Sequence, residues 1–138
     1  MATVPTLLKL TVTPTTTLGS IAPGVAHDYL SSVAAEITST AGSAALSISD
    51  QSSNAPGRLV NGTYALASPV EAQATNAMQP SSAFSAVGAS PVTLLSYDAP
   101  VSSDPVTIGF RQRVSAGELL RAGSYSKTLT FTLTTTTP

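Results

Sequence analysis

Apolar and polar residues alternate with a period of two along much of this chain, the pattern of strands that bury one face and wet the other. In Leu7 to Thr13, Leu8, Leu10 and Val12 share one parity while Lys9, Thr11 and Thr13 share the other, and Pro14 stops the run. A Thr-rich turn leads on to Leu18. From Tyr29 to Thr40, Tyr29, Val33, Ala35 and Ile37 oppose Asp28, Ser32, Glu36 and Thr38, which predicts a second, long strand. Leu46 and Ile48 point inward from the run 44–49, and the polar stretch Asp50 to Gly57 predicts a loop. Asn61-Gly62 stands between Leu59-Val60 and the run Thr63 to Leu66, and this dipeptide suits the positive φ values of a two-residue hairpin turn.

Further along, Pro69 to Thr75 predicts a short strand, Asn76 to Pro91 the longest loop, and Val92 to Tyr97 and Pro105 to Val114 two more strands. In the second of these, Val106, Ile108, Phe110 and Val114 face inward, whereas Thr107, Arg111 and Arg113 face out. The one helix candidate, Ala116 to Arg121, is barely longer than a turn and depends on tertiary support. The closing strand sets Tyr125, Leu129, Phe131 and Leu133 against a hydroxyl face from Ser124 to Thr134, with 135–138 left as a tail. About seven to nine strands separated by turn signals predict an all-β fold, a two-sheet antiparallel immunoglobulin-like β-sandwich. The sandwich takes in 1–138 as a single domain.

Composition sharpens this picture. The chain has 138 residues, enough for one core without metals or disulfides, and it holds no Cys. Charged residues make up 9 %, against about 25 % in an average domain, and 20 Ser and 20 Thr cover the surface in their place. The net charge is −1 and the charges are scattered singly, which argues against a nucleic-acid partner. No apolar run reaches the roughly 18 residues that span a bilayer, so membrane insertion is not expected. The Ser/Thr-rich, Lys-poor surface points to an extracellular or cell-wall location. No signal peptide is read at residues 1–20, and Met1-Ala2-Thr3 reads as a start placed before a domain taken from a longer secreted protein.

Leu120-Arg121-Ala122-Gly123-Ser124-Tyr125, entering a strand, resembles the tyrosine corner of immunoglobulin-like sandwiches, with no Cys following. The resemblance implies that Tyr125 and Gly123 are structural, closing the connection between the last two strands. From Leu120 to Thr134, and again in Thr40 to Asp50 and Gly57 to Tyr64, the chain resembles secreted actinobacterial immunoglobulin-like surface domains. More distantly, the final Tyr-x-x-x-Leu-x-Phe-x-Leu strand is similar to WxL cell-wall-binding domains, although this sequence holds no Trp. The same ending is similar to spore-coat and pilus-like subunits that polymerise by lending a strand to a neighbour.

Candidate chemistry is sparse. His27 is the single histidine and Asp28 follows it, but neighbours on a strand face opposite ways and no Gly-x-Ser-x-Gly elbow occurs. Asp98 and Asp104 flank a loop with Ser102 and Ser103 where calcium would fit, although solvated turn carboxylates are the simpler reading, as they are for Asp50. Lys127 shares the inward parity of Tyr125 and Leu129, which suggests either a stem that packs while its head reaches water or an isopeptide bond to Asn or Asp. The Thr face of the last strand, standing alone, reads as an outward sheet face rather than an ice-binding array. With no Trp, and with the four Tyr and three Phe mostly on inward parity, the sequence gives weak support for sugar binding, Tyr97 being the best exposed candidate.

The sequence therefore predicts a non-catalytic structural or adhesive module without cofactor or metal. Its structural positions are Tyr125, Gly123, Asn61, Gly62 and Lys127. Its expected partners are other surface-protein domains or cell-wall polymer, with self-association through edge strands. One alternative is a filament subunit donating the N-terminal strand, Thr3 to Thr13; another is a hydrolase using His27.

Overall fold

The computed structural model describes residues 2–13 and 17–135. Ten strands and no helix appear among them: β1 (Leu8–Val12), β2 (His27–Ser39), β3 (Ala44–Ser49), β4 (Val60–Asn61), β5 (Tyr64–Ala65), β6 (Glu71–Thr75), β7 (Ser85–Ala86), β8 (Val92–Tyr97), β9 (Val101–Val114) and β10 (Thr130–Thr134). One sheet has the order β1-β2-β9-β6-β7, the other β10-β3-β8, and β4-β5 forms a separate hairpin. All pairings are antiparallel. The long β2–β9 pair, from His27 opposite Val114 to Ile37 opposite Asp104, is the spine of the first sheet.

The two inner faces close on one core. Val33, Ala35 and Ile37 of β2, Val106, Ile108 and Phe110 of β9, and Ala72 and Ala74 of β6 pack against Leu46 and Ile48 of β3 and Leu95 and Tyr97 of β8. Alanines on β6 let the sheets approach closely, while Phe110 meets Phe131 edge to face at 6.4 Å between ring centroids. A bulge re-phases β8: Leu46 faces Leu95 but Ser47 faces Thr93, so the extra residue Leu94 is buried alongside Leu95. A second irregularity lies where β2 passes Ser39, and there Ser103 adopts a φ of 48° and gives its amide to the Thr38 hydroxyl.

Several expectations shift. β9 begins at Val101 rather than Pro105, and the stretch 76–91 contains the short strand β7. Ala116 to Arg121 forms no helix; a turn closes at Ser115, whose carbonyl accepts the Glu118 amide at 3.2 Å. Six residues cannot nucleate a helix that nothing caps. The last strand alternates in burial from Ser124 onward as predicted, yet its ladder with β3 starts only at Thr130, because β3 ends at Ser49 and the chain turns away. Pro14, expected to stop β1, lies outside the described residues, as does the tail beyond Thr135.

Candidate functional site

The positions singled out in the sequence converge at one end of the sandwich. Between β9 and β10 the chain bends at Gly123, whose φ of 127° is open only to glycine. Tyr125 then folds its hydroxyl back to accept the Arg121 amide at 2.9 Å, the geometry of a tyrosine corner. The β4-β5 hairpin docks onto this bend. Val60 and Ser126 exchange backbone hydrogen bonds of 3.0 Å in both directions, and the Asn61 amide donates to the Ala122 carbonyl at 3.1 Å. A Cβ on Gly123 would lie 2.8 Å from that Asn61 nitrogen, so any larger residue there would also push the Asn61 side chain off the bend. Arg121 in turn covers the Tyr64 ring at 3.9 Å.

The hairpin turn itself is displaced by one residue from the predicted Asn61-Gly62. Asn61 pairs with Tyr64, which leaves Gly62-Thr63 as the two central residues. Only Gly62 has positive φ, 63°, the pattern of a turn with glycine first. The shift has a physical return: as a strand residue, Asn61 is free to reach the corner.

Beneath this cap, Lys127 and Asp50 form a buried ion pair. The nitrogen lies 3.3 Å from Asp50 Oδ2, and the two side chains are 4 % and 0 % exposed. Neither group is free for other work. Asp50 accepts the Ser52 amide at 2.9 Å on one oxygen and the Gly57 amide at 2.6 Å on the other. Lys127 donates to the carbonyls of Asn54 and Ala55. Burial pushes the Asp50 pKa up, but the hydrogen bonds from Ser52, Gly57 and Lys127 outweigh it and hold the carboxyl below its ordinary value.

Two readings change as a result. Asp50 is not a solvated turn carboxylate, and the Lys127 head does not reach water. An isopeptide bond would need a neutral amine attacking a protonated acyl group. Here the carboxylate is ionised among donors and the ammonium is ringed by carbonyls, so the arrangement suits an ion pair. Gly57, which the sequence did not single out, is equally committed: its φ is 81°, and a Cβ would strike the Val87 carbonyl oxygen at 1.9 Å. The only signal for it was its place at the end of the polar run.

The remaining polar residues also hold structure together. Tyr97, expected to be exposed, is buried, and its hydroxyl donates to Asp104 at 2.5 Å; Asn76 donates to the same carboxylate at 2.8 Å. Burial, with that hydrogen bond, pushes the Tyr97 pKa well up. Asp104 is thus the anchor of the 76–79 turn, while Asp98 is exposed. His27 is exposed and stands edge-on to Tyr29 at 4.6 Å, whereas Asp28 turns toward Arg113 at 3.9 Å. Among the described residues no three His, Cys, Asp or Glu come together to hold a metal. Nor is there, among the described residues, a helix long and apolar enough to cross a membrane.

Beside the cap, a groove of about 980 Å³ opens between the sheets, lined by Leu18, Ile21, Val33, Phe110, Tyr125 and Leu129 among others. Fold and site together define an antiparallel β-sandwich whose chemistry-bearing side chains are engaged in fastening loops. Compared with protein families, curated proteins and solved structures, the chain finds no match.

Proposed function

We propose that the chain is a non-catalytic extracellular module of a bacterial surface protein, structural or adhesive in role. The observation that carries this reading is the commitment of Asp50 and Lys127 to loop backbone rather than to an open site. Glu118 does the same for the Ala67 amide at 3.1 Å, and Asp104 for Tyr97 and Asn76. Catalysis needs a nucleophile, a base and an orienting group within reach of one another in an accessible place. Among the described residues the His27 ring meets that of Tyr29, and Asp28 turns toward Arg113 instead. A sparsely charged, hydroxyl-rich surface supports export.

A second reading has an observation of its own. β1 and β10 are both edge strands, and Leu8, Leu10 and Val12 on one and Phe131 and Leu133 on the other are only partly buried. Such edges can pair with another copy, as a filament subunit requires. Light scattering on the chain and on a version lacking residues 1–13 separates the two. The module reading expects a monomer that is destabilised by the truncation and is retained on purified bacterial wall material. Ordered polymers that disappear on truncation would replace it with the filament reading.

A further inference from the structure

Away from the cap, the outer face of the first sheet carries a shallow depression of about 350 Å³, within the range of ligand sites, whose floor is Gly109. Its walls follow from the register. Leu30, Arg111 and Glu71 stand in one row, and Ser32, Gly109 and Gln73 in the next, with Ala34, Thr107 and Thr75 beyond. Gly109 lets the Gln73 side chain lie flat across β9, since a Cβ there would come 3.2 Å from the amide nitrogen. That amide has no hydrogen-bond partner among the described residues. Phe84 closes one side, its ring held 4.4 Å from the Arg111 guanidinium, and Leu30, 64 % exposed, closes another.

The charges beside the depression cancel. Arg111 grips Glu71 through two hydrogen bonds of 2.7 and 3.3 Å, and Arg113 lies 3.6 Å from Glu71 and 3.9 Å from Asp28. An anionic polymer would find both cations engaged, and a protein partner would find little apolar area. A neutral sugar fits better: it offers hydroxyls to an open amide and to threonines, and an apolar ring face to Phe84 and Leu30.

We propose that this depression binds a neutral carbohydrate, with Gln73 supplying the polar contact and Phe84 the stacking surface. The proposal rests on the adhesive reading and names its ligand class. The test is to titrate cello-, malto- and chitotetraose, with a polyanionic glycan as control, into the labelled chain while following backbone amides by NMR. The expected result is saturable shifts at Gln73, Thr107 and Gly109 with at least one neutral oligosaccharide. Gln73→Ala and Phe84→Ala should each weaken binding about tenfold, one contact of roughly 1.4 kcal/mol. Thr107→Arg, which fills the depression from an exposed position, should abolish it while the melting curve stays in place.

Absence of binding across the neutral panel overturns the proposal, as do shifts confined to the groove beside Tyr125 or binding indifferent to the three variants. Retention on wall material that survives all three also overturns the site but leaves the adhesive reading standing. Loss of both in the folded wild-type chain sinks the adhesive reading with it.

Discussion

Lys127→Met is the most direct perturbation of the buried pair. Methionine keeps most of the aliphatic stem and removes the ammonium, so packing survives and the charge does not. Asp50 is then a carboxylate with a side chain 0 % exposed, held only by the Ser52 and Gly57 donors. Removing one member of a buried pair costs about 3–5 kcal/mol, and the remaining donors place the loss near the lower end, about 3 kcal/mol. For a domain of this size that lowers Tm by roughly 10 °C. Asp50→Asn should cost a similar amount, because it strands the ammonium among the Asn54 and Ala55 carbonyls.

The decisive quantity is the coupling. With both charges gone, the double variant should lose less than the sum of the single losses by about 2 kcal/mol. Urea unfolding followed by circular dichroism supplies all three values. A coupling below about 0.5 kcal/mol would refute the buried pair, since independent, hydrated groups behave in that way. Acid gives a second reading of the same carboxyl. Its folded pKa lies below the unfolded value of 3.8, so its contribution is present above that value and is lost as pH falls through the folded one. Asp50→Asn should lack this acid-labile component. The intact mass should match the full sequence, and loss of one water would show that an amide had formed instead.

Two further outcomes are expected. Gly57→Ala combines a left-handed backbone with a backbone clash at Val87 and should cost about 2–4 kcal/mol in urea unfolding; a loss under about 1 kcal/mol would mean that the 50–57 loop is not seated there. Tyr97 is held neutral by burial and by Asp104, so its stabilisation is present below the ordinary pKa of 10.0 and is lost as pH rises through its raised folded value. One of the four tyrosines should therefore ionise only on unfolding in an alkaline absorbance titration, and Tyr97→Phe should remove that lag. A lag that persists in the variant would assign it to another residue.

Strands were legible wherever one face is buried, because period-two burial writes itself into the sequence: β2, β3 and β8 appear close to their predicted places. What alternation could not convey is which ladder a strand joins. Ser124 to Leu129 alternates as well as β10 does, yet it is the departure of β3 after Ser49, a tertiary event, that leaves it with a single bridge to Val60. Lys127 was legible as an anomaly of parity. Its partner was not, because Asp50 lies 77 positions earlier in a run of polar residues that looks like solvent-facing loop. The depression at Gly109 was invisible for the same reason: Gln73, Thr107 and Leu30 become neighbours only through the register of three strands.

A chain with so few charges gains nothing general from burying two of them, and the geometry shows what these two do. Where β3 leaves its sheet, the 50–57 loop turns inward, and its amides at Ser52 and Gly57 and its carbonyls at Asn54 and Ala55 need partners. Asp50 accepts from two amides on its two oxygens and the Lys127 ammonium donates to two carbonyls, so the two groups divide the four bonds between them. The ion pair then follows from satisfying backbone, since the two groups meet at the centre of the loop. Replacing both by apolar residues, neutral or stabilising for many buried pairs, would here orphan the Ser52 and Gly57 amides at about 1–3 kcal/mol each, while the Ala55 carbonyl would keep the Arg58 amide. Asp50 and Lys127 are therefore best understood as part of the loop's own hydrogen-bonding, and the fixed loop in turn supports the hairpin and the tyrosine corner above it.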